Sequence, residues 1–119
     1  MWQNFLWVFL GGGFGSVARY SFGLLFSYLG FQKFPFATLL VNLLGSFLIG
    51  LFFGYFKEPF GKERLWIVTG FLGGFTTFSA FSYESFILFE KSFFLGLLNV
   101  SLNFLGALFL VWIGYKIIS

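Results

Sequence analysis

The stretch GGFTTFSAFSYES, residues 73–85, interrupts a part of the chain that is otherwise long and hydrophobic. Gly73 and Gly74 each disfavour a helix by roughly 1 kcal/mol relative to alanine, so the sequence predicts a helix break at this pair. Non-helical backbone at membrane depth is tolerated only where protein or a bound ion satisfies the freed carbonyl groups. We therefore expect the break to be enclosed by protein or to hold an ion.

The composition is that of a membrane protein. Of 119 residues, 59% are hydrophobic and only 9% are charged, whereas about a quarter of the residues in soluble domains are charged. The chain contains no Cys, His or Asp, which removes most catalytic and metal-binding constellations. We predict that the protein is not an enzyme. Its charge of +3 is small and scattered, which favours lipid headgroups as neighbours of the lysines and disfavours nucleic acid.

Apolar runs of about 20 residues predict an all-α membrane protein with four transmembrane helices. Pro35 and Pro59 lie where helices are expected to begin or end. The N-terminus lacks the basic start of a signal peptide, and we assign it to the first span. The four spans form a single domain over residues 1–119, and their approximate bounds are 4–30, 34–56, 65–89 and 92–115.

Basic residues are nearly balanced between the two predicted ends of the bundle. Four lie at one end and two at the other, with Arg19 as a third if it snorkels that way. An excess of Lys and Arg normally marks cytoplasmic loops, so four against three either permits insertion in both orientations, as an antiparallel dimer requires, or reflects only short loops. The residues counted are Lys57, Lys62, Arg64 and Lys116 against Lys33, Lys91 and Arg19.

Small residues four apart predict close helix packing. Four helices alone barely enclose a packed centre, so we also expect the chain to assemble with further copies. A given small-residue pair is more often a packing seam than a subunit interface. The pairs and triplets are Gly11 with Gly15, Ser46 with Gly50 and Gly54, and Gly70 with Gly74.

Polar side chains inside the predicted spans are costly in lipid and usually face the bundle interior or a pathway. Asn42 shares a helix face with Ser46, and Asn99 and Asn103 are again four apart. These amides are either hydrogen-bonding links between helices or donors to a passing ion. Arg19 has no carboxylate in the sequence before Glu58, and either attracts anions or has a structural, snorkelling role.

The residues that follow Gly73 and Gly74 could contribute to binding either a cation or an anion. The freed carbonyls and the hydroxyls of Thr76 and Thr77 would suit a hard cation, and two copies meeting on a symmetry axis would complete its coordination. Phe78 and Phe81 share a helix face, and the positive edges of their rings could favour an anion. Because the chain has 23 phenylalanines, this spacing alone also fits rings that face lipid or core.

Three motifs, GGGFGSVARY at 11–20, VNLLGSFLIG at 41–50 and GGFTTFSAFSYE at 73–84, occur in an order that resembles the Fluc (CrcB) family of small fluoride channels. The resemblance covers essentially the whole chain. It implies an antiparallel, dual-topology homodimer in the inner (plasma) membrane, with two fluoride pores and one structural sodium ion at the dimer centre. It also implies passive fluoride export and no organic cofactor.

The resemblance also assigns roles to individual residues. The sodium ligands would be the backbone carbonyls of Gly73 and Thr76 from both subunits. Phe78 and Phe81 match the pore phenylalanines, and Asn42 matches the pore-lining asparagine.

Further matches and departures concern the rest of the pathway. Arg19 matches the basic residue of the first motif, and Glu84 the carboxylate after the aromatic run. Ala80 stands where members often carry Thr, and Asn99 and Asn103 stand where hydroxyl side chains are common. We expect the amides of Asn42, Asn99 and Asn103, the Ser79 hydroxyl and ring edges to replace the water lost by fluoride.

Two other functions remain open at this point. A small proton-coupled multidrug antiporter would share the size and span count, but it needs a membrane-embedded carboxylate. The chain has no acid in its first 57 residues, and Glu84 lies towards the end of its span. A purely structural subunit would use the glycines and amides for packing only.

Overall fold

A computed structural model describes residues 1–57 and 61–119, so the predicted boundary at Pro59 and the acidic Glu58 lie outside the described residues. Throughout this described part the regular structure is helical, without a strand. The elements in chain order are α1 (Trp2–Tyr28), α2 (Phe36–Tyr55), a π-helix (Arg64–Leu72), the short α3 (Gly73–Phe75), α4 (Phe78–Lys91) and α5 (Phe93–Ile118).

The helix ends follow local turn chemistry. Gly30 adopts a φ of +86°, in the left-handed region that favours glycine, just beyond the end of α1. Pro35 directly precedes α2, which confirms the predicted start of that helix. The predicted third span stops at residue 89, but α4 continues to Lys91. The chain turns instead at Ser92, whose hydroxyl accepts a hydrogen bond from the Leu95 N–H at 3.4 Å and caps α5.

Within residues 1–57 and 61–119, three helical segments are long and apolar enough to cross a membrane: Phe36–Tyr55, Arg64–Lys91 and Phe93–Ile118. These correspond to the second, third and fourth predicted spans. The helix α1 has 27 residues and is therefore long enough to cross, but its glycines, serines and Arg19 make it less apolar than the other three. A membrane-spanning role for α1 therefore stays a prediction.

Glycines place helix backbones in direct contact within the chain. Gly11 and Gly15 of α1 lie against the carbonyls of Trp66 and Phe71, and a Cβ at either glycine would clash with them. This contact joins α1 to the π-helix, and Gly74 continues it by lying against Gly12. The small-residue spacing of the sequence is thus a packing seam between helices of one chain.

A second seam joins α2 to α5, which form the most extensive helix pair in the structure. Gly50 lies against the Val111 carbonyl, and a Cβ added at Gly54 would lie 2.8 Å from the Tyr115 carbonyl oxygen. Gly114 of α5 forms the matching contact in the opposite direction and lies against the backbone of α2. The helix α4 packs on α5, so α2, α4 and α5 surround one polar interior.

The helix breaks, but not at the glycine pair. Gly73 is helical, with φ −62° and ψ −36°, whereas the backbone is extended at Thr76 (φ −86°, ψ 157°) and Thr77 (φ −149°, ψ 119°). The prediction of a break was correct and its position was wrong by about one helical turn. Gly74 is instead required for packing, because a Cβ there would lie 2.6 Å from the Gly12 carbonyl oxygen.

Candidate functional site

Asn42 holds the broken backbone open. Its side-chain Oδ1 accepts a hydrogen bond from the Thr77 N–H at 2.9 Å, and its Nδ2 donates to the Thr77 carbonyl at 3.2 Å. The Asn42 amide thus satisfies both backbone groups that Thr77 would otherwise commit to a continuous helix. The Thr77 hydroxyl then accepts from the Ala80 N–H at 3.1 Å and begins α4 as its N-cap.

A line of amides continues from Asn42 into the interior between α2, α4 and α5. Asn42 donates to Asn103 Oδ1 at 2.9 Å, and Asn103 Nδ2 donates to the carbonyl and side-chain oxygens of Asn99 at 2.9 and 3.2 Å. Asn99 donates in turn to Ser85 Oγ at 2.8 Å. We call Asn42, Asn103 and Asn99 the amide ladder. Asn99 and Asn103 are buried, with exposed fractions of 1% and 6%.

The ladder is largely self-satisfied. An asparagine amide has two N–H groups to donate, and Asn42 uses them on Thr77 and Asn103. Of the two roles left open for these amides, the structure contains the hydrogen-bonding links between helices. Asn42 has no spare N–H to donate to a passing ion. Asn99 donates to one acceptor only, and the Ser85 hydroxyl accepts that bond without donating one among the described residues.

An open cleft of about 420 Å³ lies beside the break. Its walls combine residues of α2, the break, α4 and α5, and most of its surface is apolar. We call it the central cleft. Four of the six predicted pore residues line it: Asn42, Phe78, Phe81 and Asn103. Asn99 joins the cleft through Asn103, whereas the exposed Ser79 lies outside it, with Oγ 3.3 Å from the Thr77 hydroxyl.

The two predicted phenylalanines occupy different environments. Phe81 is 5% exposed and packs into the chain, whereas Phe78 is 70% exposed at the mouth of the central cleft. Their ring centroids are 5.4 Å apart. Phe104 of α5 meets both rings edge-on, at 5.6 Å from Phe81 and 6.5 Å from Phe78. Phe104 could not be singled out from the sequence, because nothing in its spacing sets it apart from the other phenylalanines.

Gly73 and Thr76, the predicted cation ligands, both line the central cleft. In the described part of the chain their carbonyl oxygens accept no hydrogen bond, since the Thr77 N–H bonds to Asn42 instead of Gly73 and the Ala80 N–H bonds to the Thr77 hydroxyl instead of Thr76. Free carbonyl oxygens are the ligands that a hard cation prefers. The donor set therefore fits a sodium ion, and a second copy of the chain would have to supply the remaining ligands.

Arg19 reaches the break from α1. Its Nε donates to the Gly74 carbonyl at 3.0 Å, and the side chain is partly buried. The Gly74 carbonyl is one of those that the break releases. Arg19 is thus directed into the protein and does not count towards the basic residues at either end of the bundle.

Glu84 lies on α4 next to Ser85, the last residue of the hydrogen-bonded line. Its Oε2 accepts a hydrogen bond from the Thr38 hydroxyl at 3.0 Å. Its Oε1 is buried and has no partner among the described residues. Thr38 and Ser85 were not singled out from the sequence, because the role of each depends on a contact with another helix. Thr38 bonds to Glu84, 46 positions later, and Ser85 bonds to Asn99, 14 positions later.

Fold and site together define a small helical membrane protein in which an interrupted helix lies beside a line of buried amides. Residues 6–115 match the family model described as "CrcB-like protein, Camphor Resistance (CrcB)". The chain is also 44% identical to proteins named "Fluoride-specific ion channel FluC" from Salmonella arizonae, Salmonella paratyphi B and Salmonella newport. These matches cover 100% of this chain and 96% of each relative.

The chain belongs to the CrcB family. The resemblance inferred from the three sequence motifs is thereby confirmed over nearly the full length of the chain.

Proposed function

We propose that the protein is a fluoride channel that lets fluoride leave the cell passively across the plasma membrane. The observation that carries this proposal is the full-length similarity to relatives named as fluoride-specific channels. The rings of Phe78, Phe81 and Phe104, which we call the aromatic cluster, line the central cleft together with the helix break and two amides of the ladder, and this supports the proposal. A channel requires no bond-making chemistry, which agrees with the prediction that the chain is not an enzyme.

The chemical problem is dehydration. Moving even a carboxylate-sized ion into a dry medium costs on the order of 20 kcal/mol, and fluoride is smaller. A narrow pathway must therefore replace nearly every lost water. Asn99 has one N–H without an acceptor among the described residues, whereas Asn42 can donate to an ion only if the ion takes the place of an existing acceptor, for example Asn103 Oδ1. This exchange keeps the Asn42 N–H paired, because the ion accepts the hydrogen bond that Asn103 Oδ1 gives up.

The aromatic cluster supplies the second kind of contact. Ring edges carry partial positive charge, and Phe78 and Phe81 lie at the central cleft. Binding at several weak sites in turn lets an ion enter and leave again. We assign Phe78, Phe81, Asn42 and Asn103 to the walls of this pathway, with Asn99 behind them and Ser79 at its edge.

We further propose that two copies assemble as an antiparallel, dual-topology homodimer. The central cleft is open along one side, and Phe78 at its mouth is 70% exposed. A second copy would cover this mouth and enclose the pathway. The free carbonyls of Gly73 and Thr76 from both copies would then hold the structural sodium ion, which would lock the two breaks together.

The test uses purified protein in liposomes loaded with fluoride and a fluoride-selective electrode outside. We expect rapid fluoride efflux, much slower chloride efflux and no dependence on a proton gradient. The Phe78→Ile variant, purified and reconstituted in the same way, should lose the fluoride flux. Equal fluoride and chloride efflux, or no efflux of either, would refute the proposal.

A proton-coupled multidrug antiporter is disfavoured. Such a protein needs a carboxylate that exchanges protons for a cationic substrate, and Glu84 instead receives a hydrogen bond from Thr38 near one end of the bundle. Proton-driven uptake of a lipophilic cation into the same vesicles would reverse this preference. A purely structural subunit would show no flux of any kind, and neither Asn42→Ala nor Phe81→Ala would then alter ion movement.

A further inference from the structure

A second cleft, of about 320 Å³, lies at the end of the bundle where α1 and α2 are connected. We call it the end cleft. It is bounded by the loop between those helices and by α4, and the polar and charged side chains in its walls are Ser27, Gln32, Lys33, Tyr83, Glu84 and Lys91. The loop is held in place because Gln32 Nε2 donates to Ser27 Oγ at 3.1 Å.

The end cleft lies at one end of the hydrogen-bonded line that begins in the central cleft. That line runs from Thr77 through the amide ladder to Ser85. Glu84, the neighbour of Ser85, lies in the wall of the end cleft. Among the described residues Ser85 and Glu84 share no hydrogen bond, so the line of polar residues ends one position along α4 from the wall of the end cleft.

The charges in the end cleft present a problem for an anion pathway. One buried carboxylate oxygen of Glu84 has no partner in the part of the chain that the structure describes, and a lone carboxylate there would repel fluoride. Lys33 and Lys91 lie in the same walls, and among the described residues neither forms an ion pair. With two ammonium groups against one carboxylate, the cleft is positive overall.

The basic residues at the opposite end of the bundle are used differently. Lys57, Lys62 and Arg64 lie over aromatic rings, with Lys62 Nζ 5.5 Å from the centroid of the Trp7 ring. Within the described residues neither Lys33 nor Lys91 is held in this way. Both lysines are exposed and border the end cleft, so their flexible side chains can bring the ammonium groups to an anion at its mouth.

We propose that Lys33 and Lys91 form an entrance site for small anions, which concentrates fluoride at the mouth of the pathway before it is dehydrated. This rests on the proposed function and deepens it. Clefts lined by one sign of charge raise the capture rate of oppositely charged ions by a factor of 10 to 10³, and the effect falls steeply with ionic strength. Because Glu84 offsets one of the two lysines, we expect the lower end of this range here. Lys33 and Lys91 are positioning and capture residues and do not enter the narrow part of the pathway.

The test compares wild type, the double variant Lys33→Gln/Lys91→Gln and the control Lys62→Gln in liposomes of neutral lipid. At about 10 mM ionic strength, where charges act over ~30 Å, we expect the double variant to need about tenfold more fluoride for half-maximal efflux. Its maximal rate and its selectivity over chloride should match wild type, since the pathway beyond the cleft is unchanged. Lys62→Gln should behave as wild type.

Two further arms keep the proposal falsifiable. Raising ionic strength to about 1 M, where charges act over only ~3 Å, should remove the difference, and Lys33→Arg/Lys91→Arg should restore wild-type behaviour. An unchanged half-maximal concentration in the double variant would overturn the entrance site. A defect seen only in vesicles with anionic lipid would also overturn it, because the lysines would then bind headgroups. Absence of fluoride flux from wild type would instead refute the proposed function.

Discussion

The seam between α2 and α5 and the central cleft use similar residues of α2 for opposite purposes. At the seam, Gly50 and Gly54 bring two backbones into contact and leave no space. One to two turns earlier, Asn42 and Ser46 line an open cleft. Small or polar residues at helical spacing therefore give contact where the chain supplies a partner backbone, and a cavity where the neighbouring helix is broken.

The largest effect is expected where a side chain is added at a glycine of a seam. Gly15→Leu should prevent folding, because even its Cβ would clash with the Phe71 carbonyl and overpacking by a larger side chain typically costs 1–3 kcal/mol or more. Gly23→Ala is the matched control on α1, since a Cβ there has nothing within 4 Å. The measurement is the yield of monodisperse protein in detergent. A normal yield for Gly15→Leu would show that the seam is not closed.

The phenylalanines separate packing from pathway. Phe81→Ala should lower the free energy of unfolding by about 3–5 kcal/mol because it empties a buried position. Phe78→Ala should change it by no more than about 0.5 kcal/mol in the detergent-solubilised monomer. Both should lower fluoride efflux from liposomes. If Phe78→Ala retained full flux, its exposed ring would have no role in the pathway.

Asn42→Asp tests the ladder at nearly constant shape. The carboxylate can still accept from the Thr77 N–H, but it would face the Thr77 carbonyl and Asn103 Oδ1 with no hydrogen to donate. Leaving such buried groups unpaired costs about 1–3 kcal/mol each. We expect lower thermal stability and strongly reduced fluoride efflux. Unchanged values for both would mean that Asn42 does not hold the break.

The smallest effect comes from the helix caps. Thr77→Ala and Ser92→Ala each remove a side-chain acceptor at a helix N-terminus and should each cost about 1 kcal/mol of stability. Only Thr77 lies in the central cleft. Thermal melts should therefore shift alike, while fluoride efflux falls for Thr77→Ala alone. Equal efflux from the two variants would mean that the Thr77 side chain has no role in the fluoride pathway.

Much of the fold could be predicted because its signals are local. Apolar runs located three candidate spans and α1 to within three residues, and Pro35 marked the start of α2. The position of the break could not be predicted from helix propensity. Gly73 and Gly74 stay helical, and the extended backbone at Thr77 is held by an amide 35 positions earlier in the chain.

The candidate site was predicted in its residue types but not in its connections. The spacing of Asn99 and Asn103 indicated a polar track, yet it could not show that these amides bond to one another and to Asn42. Nor could the shared face of Phe78 and Phe81 show which ring is buried, because that depends on where α5 packs. The widened π-helical turns before the break had no recognisable sequence signal.

The most direct test of the central claim, that fluoride passes through the cleft beside the break, uses the absence of cysteine from the chain. A single Ser46→Cys substitution places a thiol in the wall of the central cleft, and Ser119→Cys places one at the exposed C-terminus. After labelling by a bulky thiol reagent, verified by mass, fluoride efflux should be blocked for Ser46→Cys and unchanged for Ser119→Cys. Full labelling of Ser46→Cys with undiminished efflux would contradict the account.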